Sequence, residues 1–267
     1  MSTASTAPVR RGYDPYYPTG DGKPMAETPL HRNEATDIIH GLEDFYVADD
    51  SVYIGGNMLF FYEEGNRHKH VAPDVFVVKG IGRLPQREHY LLWQEGKGPD
   101  WILEVTSKST KVEDQKTKMV IYQDILKVTE YALFDPTQDY LDPALQGYRR
   151  VRGKYRPVPL VDGRLPSLVL GLHLEIVEDS IRLYDPNTGQ LIPTRLERIE
   201  AEHQARLDAE AARQREEETR RREESARQQA EAACRQEEAA RQRAEQEVER
   251  LKRELEELRK RLNPPNV

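Results

Sequence analysis

Between residues 195 and 262 the chain contains no glycine and no proline, while 37 of those 68 positions are charged. Nothing in such a stretch punctuates a helix, and little in it can fill a core. It can fold only as one long solvated helix or as a strand of a coiled coil. Its 19 acidic and 18 basic side chains nearly cancel, so all but one unit of the net charge of −7 resides in the rest of the chain. The same stretch explains why only 37% of the residues are apolar, against roughly 45–50% in ordinary globular chains. A globular domain diluted by a polar helix accounts for both numbers. The expected organisation is a mobile leader over 1–24, a globular domain over 25–192, the charged helix over 195–262 and a short tail over 263–267.

Within the helix, Ala205, Ala212, Thr219, Ala226, Ala233 and Ala240 recur every seven residues. Three of the six partner positions four residues on are glutamates (Glu216, Glu223 and Glu237), so this seam is weak. From Ala244 the frame shifts, and Val248, Leu251, Leu255, Leu258 and Leu262 follow at alternating spacings of four and three. That is a coiled-coil seam entered through a stutter. A solitary helix held by i,i+4 ion pairs also fits the charges. A stripe of four leucines has little purpose except burial against another helix, so a homo-oligomer through the coiled coil is expected.

The acidic balance of the globular part excludes a grip on polyanions by bulk charge; phosphate binding would need a local basic patch or a metal ion. The single cysteine, Cys234, excludes an intramolecular disulfide and suits a reducing compartment. No run approaches ~18 uninterrupted apolar residues, so no membrane span is expected. The first residues, rich in Pro, Gly, Ser and Thr, lack the apolar core of an export signal. A cytoplasmic protein is expected.

Along the globular part, LHRNEATDIIHGLEDFY carries Leu30, Ile38, Ile39, Leu42 and Phe45 at helical spacing. Strand character follows over 51–63, 70–80 and 100–107, where β-branched and aromatic residues are bounded by turn residues. Residues 109–128 predict a helix capped by Ser109 or Thr110, with Glu113 and Asp114 at its positive end. Val112, Ile121, Tyr122, Ile125 and Leu126 form its apolar stripe. EYALFDP returns as a strand, and short strands continue to about 190. The order strand, strand, helix, strand predicts an α/β core.

Two acids interrupt segments that otherwise read as buried strands: Asp74 in VAPDVFVV and Glu104 in WILEV. A carboxylate there is costly unless paired, hydrogen-bonded or bound to a cation. Period-2 alternation puts Glu104 on the face of Ile102 and Thr106, and Asp74 on that of Phe76 and Val78. Two such carboxylates at neighbouring strand ends make a hard-oxygen site of the kind Mg²⁺ accepts; strand-end acids salt-bridged to Lys or Arg are the plainer alternative. Lys118 falls on the apolar stripe of its helix, whereas Lys116 falls outside it. An inward lysine needs a carboxylate, which Asp74, Glu104 or its own i,i+4 neighbour Asp114 can supply.

Pro73-Asp74, Glu104-Val105-Thr106 with Ser107, Ser109 and Thr110, then Asp114, Lys118 and Tyr122, then Glu130-Tyr131 through Asp135-Pro136, form an ordered set. This set resembles the bacterial putative restriction endonuclease family of the PD-(D/E)XK nuclease superfamily. The resemblance spans about residues 25–190 and takes in LHR, YEEGN, LQGYR and IRLYDPNTG. It implies a restriction-endonuclease-like core, a mixed sheet flanked by helices, ahead of the C-terminal helix. It also implies a Mg²⁺-dependent endonuclease acting on nucleic acid, DNA before RNA. Asp74, Glu104 and the Val105 carbonyl would hold the metal, and Lys118 would be the catalytic lysine.

Two departures mark this chain. The superfamily places a lysine two residues after the second acid, where Thr106 stands here; Lys118 matches the helical lysine that serves instead in the resembled family, and Lys108 competes with it. The turn before EYALFDP has Leu126-Lys127 where the family often has a glycine, and the chain is one residue longer there. Lys108, Arg67, Lys69 and His31 are further candidates for phosphate contact. A nuclease fold without catalysis, kept as an interaction module around its coiled coil, is the alternative function.

Overall fold

Alternation along one short strand decides the layout of the globular part. In WILEV, Trp101, Leu103 and Val105 pack into one apolar cluster, while Ile102 packs into another. A strand buried on both faces needs a layer above and a layer below. The computed structural model describes residues 14–20, 28–83, 87–108 and 110–262, and it supplies both layers.

In chain order the elements are α1 (Pro29–Phe45), β1 (Val52–Gly55), β2 (Phe60–Phe61), β3 (His70–Val71), β4 (Val75–Lys79), β5 (Tyr90–Leu91), α2 (Leu92–Glu95) and β6 (Trp101–Val105). A helical stretch over 111–125 leads to β7 (Glu130–Phe134), β8 (Leu145–Val151) and β9 (Lys154–Val158). Then come β10 (Leu165–Pro166), β11 (His173–Val177), β12 (Ser180–Asp185), β13 (Gln190–Leu191) and α3 (Arg195–Leu262). Six strands form the central sheet in the order β1-β4-β6-β7-β8-β9. Only the β6–β7 pair in it is parallel, and the helix over 111–125 makes that crossover. Against one face lie Ala35, Ile38 and Leu42 of α1, with Leu174, Ile181 and Leu183 of the four-stranded sheet β10-β11-β12-β13. Against the other face lie Tyr122 and Leu126 of the crossover helix. The fold is α/β, a mixed sheet flanked by helices and followed by a long C-terminal helix, as expected.

Several expected elements are rearranged. Residues 51–63 are not one strand: β1 joins the central sheet, and β2 joins a separate three-stranded sheet, β3-β2-β5. Pro73 and Asp74 likewise separate β3 from β4. The 109–128 helix is observed over 111–125 and contains two π-helical segments, Glu113–Lys118 and Ile121–Ile125. Wider turns move a stripe counted at 3.6 residues per turn out of phase. Val112 and Ile125 are consequently exposed, while Tyr122 and Leu126 stay buried. The expected Ser109 cap lies outside the described residues. Thr110 does not act alone at this end: its N–H donates to Ser107 Oγ at 3.3 Å and its hydroxyl accepts from the Ser107 N–H at 3.0 Å.

Of the expected leader, residues 1–13 and 21–24 lie outside the described residues, as does the tail 263–267. Residues 14–20 correct the expectation of a mobile leader. Tyr17 is buried against Phe61 and Trp93, and its hydroxyl accepts from the Gly65 N–H at 2.6 Å.

The chain forms two units, Met1–Arg198 and Ile199–Val267. Thr194 and Glu197 open α3 with a reciprocal capping box: the Glu197 N–H donates to Thr194 Oγ1 at 3.2 Å, and the Thr194 N–H donates to Glu197 Oε2 at 2.7 Å. The helix then runs for 68 residues, as its lack of punctuation predicts. Val248, Leu251, Leu255 and Leu258 are exposed on it. No helix among the described residues is long and apolar enough to cross a membrane.

Candidate active site

The antiparallel register of β4 and β6 pairs Val75 with Leu103. One residue further, the same register brings Asp74 level with Glu104. Both side chains leave the sheet on the face of Phe76, Val78 and Ile102, toward the crossover helix. Gly56 permits this arrangement at the β4 end. A Cβ on it would lie 2.3 Å from the Asp74 carbonyl oxygen, so only glycine lets that loop approach.

Glu104 is fully buried and held on both oxygens. The Tyr122 hydroxyl donates to Oε1 at 2.5 Å, and Lys118 Nζ donates to Oε2 at 2.9 Å. Lys118 also lies 3.0 Å from Asp114 Oδ1, an ion pair without hydrogen-bond alignment. Both sequence alternatives for the inward lysine therefore hold at once. Asp74 Oδ2 accepts from the Val105 N–H at 2.8 Å. His31, carried on α1, places Nε2 3.5 Å from that oxygen and donates to the Val105 carbonyl. Tyr131 closes the base of the site by donating to the Asp114 carbonyl at 3.1 Å.

Burial sets the electrostatics. It pushes the Asp74 carboxyl up to about 6 and that of Glu104 up to about 8, against the opposing pull of Lys118. Asp114 is raised by burial and by the neighbouring Glu104 charge. Burial alone would lower Lys118, but Glu104, Asp114 and Asp74 overcome it and hold the ammonium above its ordinary range. Lys118 is thus a firmly protonated cation.

The structure brings together Asp74, Glu104, Val105, Lys118 and His31. It does not bring Lys108, Arg67 or Lys69 to them. All three are exposed, and the Arg67 guanidinium lies over the Tyr16 ring at 5.1 Å. Thr106 is buried; Tyr140 donates to its carbonyl, and Thr106 Oγ1 bonds the Tyr140 hydroxyl at 3.1 Å. Lys111 lies 5.3 Å from the centre of the Tyr140 ring. Sequence reasoning missed Tyr140 and Gly56, which no local pattern marks.

Among the described residues no group of three or more His, Cys, Asp or Glu is arranged to hold a metal ion. The donors present are two carboxylates and a backbone carbonyl. They suit a small hard cation that takes one or two carboxylates and keeps its water, and they do not suit a closed soft-metal site.

No curated protein matches the chain significantly. A crystal structure of a putative nuclease belonging to DUF820 from Anabaena variabilis has 12% identity, with 54% of this chain and 74% of that one covered, at a TM-score of 0.39. The family described as putative restriction endonuclease, Uma2, matches residues 9–205. That range contains α1, the sheets and every residue of the site, and on it the chain belongs to the Uma2 family of putative restriction endonucleases.

Proposed function

We propose that this chain is a Mg²⁺-dependent endonuclease of the PD-(D/E)XK type that hydrolyses phosphodiester bonds, with DNA as its first substrate. One observation carries the reading: a lysine whose side chain is only 15% exposed lies 2.9 Å from a buried glutamate on the sheet face that also presents Asp74. Asp74, Glu104 and the Val105 carbonyl would hold Mg²⁺. A bound Mg²⁺ supplies positive charge that polarises the scissile phosphate and makes water more acidic.

Lys118 stays protonated, so it serves as a donor rather than as a base. It orients the attacking water and offsets the negative charge growing on the phosphate. Water oxygen adds to phosphorus and gives up one proton to solvent, the bond to the leaving sugar oxygen breaks, and the departing oxygen takes up one proton from solvent. Tyr122 fixes the Glu104 carboxylate, and His31 holds the Val105 carbonyl. Lys108 is retained as a backbone-phosphate contact. The exposed apolar stripe of α3 would pair with a second copy of the chain, which makes the protein a homo-oligomer.

Nicking of supercoiled plasmid tests the reading. Wild type should nick with Mg²⁺ and not with EDTA, and Lys118→Ala should not nick under either condition. Asp74→Asn should lose metal binding itself, with partial rescue by Mn²⁺. Wild-type turnover by Lys118→Ala together with inactivity of Lys108→Ala would move the catalytic lysine to the loop. Inactivity of the wild type on all DNA and RNA would favour the non-catalytic module, the reading to which Thr106 at the signature lysine position lends support.

A further inference from the structure

The apolar stripe near the end of α3 is bordered by charges in a fixed order. Val248, Leu251, Leu255 and Leu258 are all exposed, on a helix that continues unbroken to Leu262. In the heptad they define, Val248 and Leu255 occupy a, while Ala244, Leu251 and Leu258 occupy d. The g positions just before the a residues are then Glu247 and Glu254, and the e positions just after the d residues are Glu245, Lys252 and Arg259. Left in water, such a stripe forgoes the stabilisation that burial gives apolar surface. The same stripe on a second copy has the shape and spacing to cover it.

Flanking charge chooses the direction in which that copy lies, since e and g residues set the orientation of a coiled coil. In a parallel, in-register pair each g residue meets the next e residue of the other strand. Glu247 then faces Lys252 and Glu254 faces Arg259, each pair occurring twice by symmetry, with no like charges opposed. In an antiparallel pair the leucines interlock when Leu251 lies opposite Leu255 and Val248 opposite Leu258, and the flanks meet e to e and g to g. Lys252 is then opposed to Lys252, and Glu254 to Glu254, in the middle of the seam. Within one chain these groups are loosely engaged. Arg250 lies 3.8 Å from Glu247 and 3.3 Å from Glu254, and Lys252 lies 4.0 Å from Glu249, all with side chains more than half exposed. Leaving such contacts costs little.

The upstream seam points the same way. Arginine fills both of its flanks, at Arg213, Arg220 and Arg227 on one side and Arg215 and Arg222 on the other, so charge there favours neither direction. Packing does. An antiparallel overlap of the leucines alone leaves the row from Ala205 to Ala240 uncovered. Sliding the strands to cover that row sets Leu251 against Glu216 and Leu255 against Ala212. The parallel pair lays leucine on leucine and alanine on alanine. It also packs core Glu216 and Glu223 beside Arg215 and Arg222 of the other strand, since an a residue sits in a hole that includes the preceding g position.

We propose that α3 pairs with α3 of a second copy as a parallel, in-register, two-stranded coiled coil, fixed by Glu247–Lys252 and Glu254–Arg259 pairs between the strands. The proposal rests on the pairing of α3 already proposed, and adds its direction, register and strand number. Val248 at a with Leu251 and Leu258 at d suits two strands. Both helices then begin at the same end of the coil, so the globular parts of the two copies are joined to that one end; an antiparallel pair would join them to opposite ends.

The test uses the full chain with Cys234→Ser as background, which removes its single, exposed cysteine. Ala244→Cys is then added, at a core position of the frames on both sides of the stutter. Under mild oxidation this variant should become a disulfide-linked dimer, because parallel strands put residue 244 opposite itself. In the antiparallel seam residue 244 lies opposite 262, roughly 27 Å from its own copy. A mixture of Val248→Cys chains and Leu258→Cys chains should give disulfides only between like chains. Lys252→Glu with Arg259→Glu should weaken the dimer at least tenfold in sedimentation, and adding Glu247→Lys with Glu254→Lys should restore it. A 248–258 disulfide without a 244–244 one would overturn the direction and leave the pairing of α3 standing. A wild type that sediments as a monomer would overturn pairing and direction together, and a trimer or tetramer would overturn the strand number. Unchanged dimer affinity in the Lys252→Glu, Arg259→Glu variant would overturn the pairs assigned between the strands.

Discussion

Two ion pairs in this protein have the same length and opposite meaning. Lys118 and Asp114 stand 3.0 Å apart with side chains 15% and 2% exposed. Arg227 and Glu231 on α3 also stand 3.0 Å apart, with side chains 82% and 53% exposed. Distance is therefore not what separates them. In water the second pair is screened and gains little. In the seam between sheet and helix the first pair has lost its hydration, and its members must hold one another or change protonation state. Asp74, Glu104 and Asp114 are pushed upward, and Lys118 answers them with one charge. Charged residues make up both regions, but only burial turns charge into a reactive arrangement.

The sharpest way to break the comparison is to remove the single inward cation. Lys118→Ala should abolish Mg²⁺-dependent nicking and cost about 1–3 kcal/mol of stability at neutral pH. The loss should shrink as pH falls, because Glu104 and Asp114 can then take up protons. Full activity, or a stability loss that grows on acidification, would show that Lys118 does not answer those carboxylates.

Next in size comes Tyr122→Phe. The hydroxyl donates to a buried carboxylate at 2.5 Å, and a hydrogen bond to a charged group contributes roughly 1.5–3 kcal/mol. Stability should fall by about that amount, and kcat by about tenfold for each 1.4 kcal/mol of lost positioning. A variant that melts and turns over like wild type would remove Tyr122 from the site.

The wild type itself offers a pH test. The folded pKa values of Asp74, about 6, and Glu104, about 8, lie above the ordinary 3.8 and 4.5 of the unfolded chain. Between those limits the folded protein holds protons that the unfolded chain has released. Their contribution to stability is fully present below the unfolded values and is lost as pH rises through about 6 and about 8. In EDTA, Tm should decline between pH 5 and pH 9. Mg²⁺ competes with those protons, so its affinity should rise over the same interval. A flat or rising Tm in EDTA would contradict the burial of both carboxyls.

The smallest effects belong to α3. Glu231→Gln should move stability by no more than about 0.5 kcal/mol. Residues 1–194 alone should melt cooperatively, yet differ from the full chain in oligomeric state by sedimentation. Equal masses for both would sink the proposed pairing of α3.

What could be read from the residues alone was whatever depends on near neighbours in the chain. An uninterrupted polar run with no glycine or proline makes a helix wherever it lies, and α3 follows it from Arg195 to Leu262. Alternation is equally local, so Glu104 shares its face with Ile102, and Asp74 with Phe76, as expected. Lys118 turned inward and Lys116 outward because they are two residues apart on one helix. Tertiary structure decided the rest. The β4–β6 register brought Asp74 level with Glu104, and α1 carried His31 to a carbonyl 74 residues away. Packing divided residues 51–63 between two sheets: β1 pairs with β4, while β2 pairs with β3 and β5. Tertiary packing also decided that the crossover helix carries π-helical turns and ends in a left-handed Lys127, which the helical spacing of 109–128 does not mark.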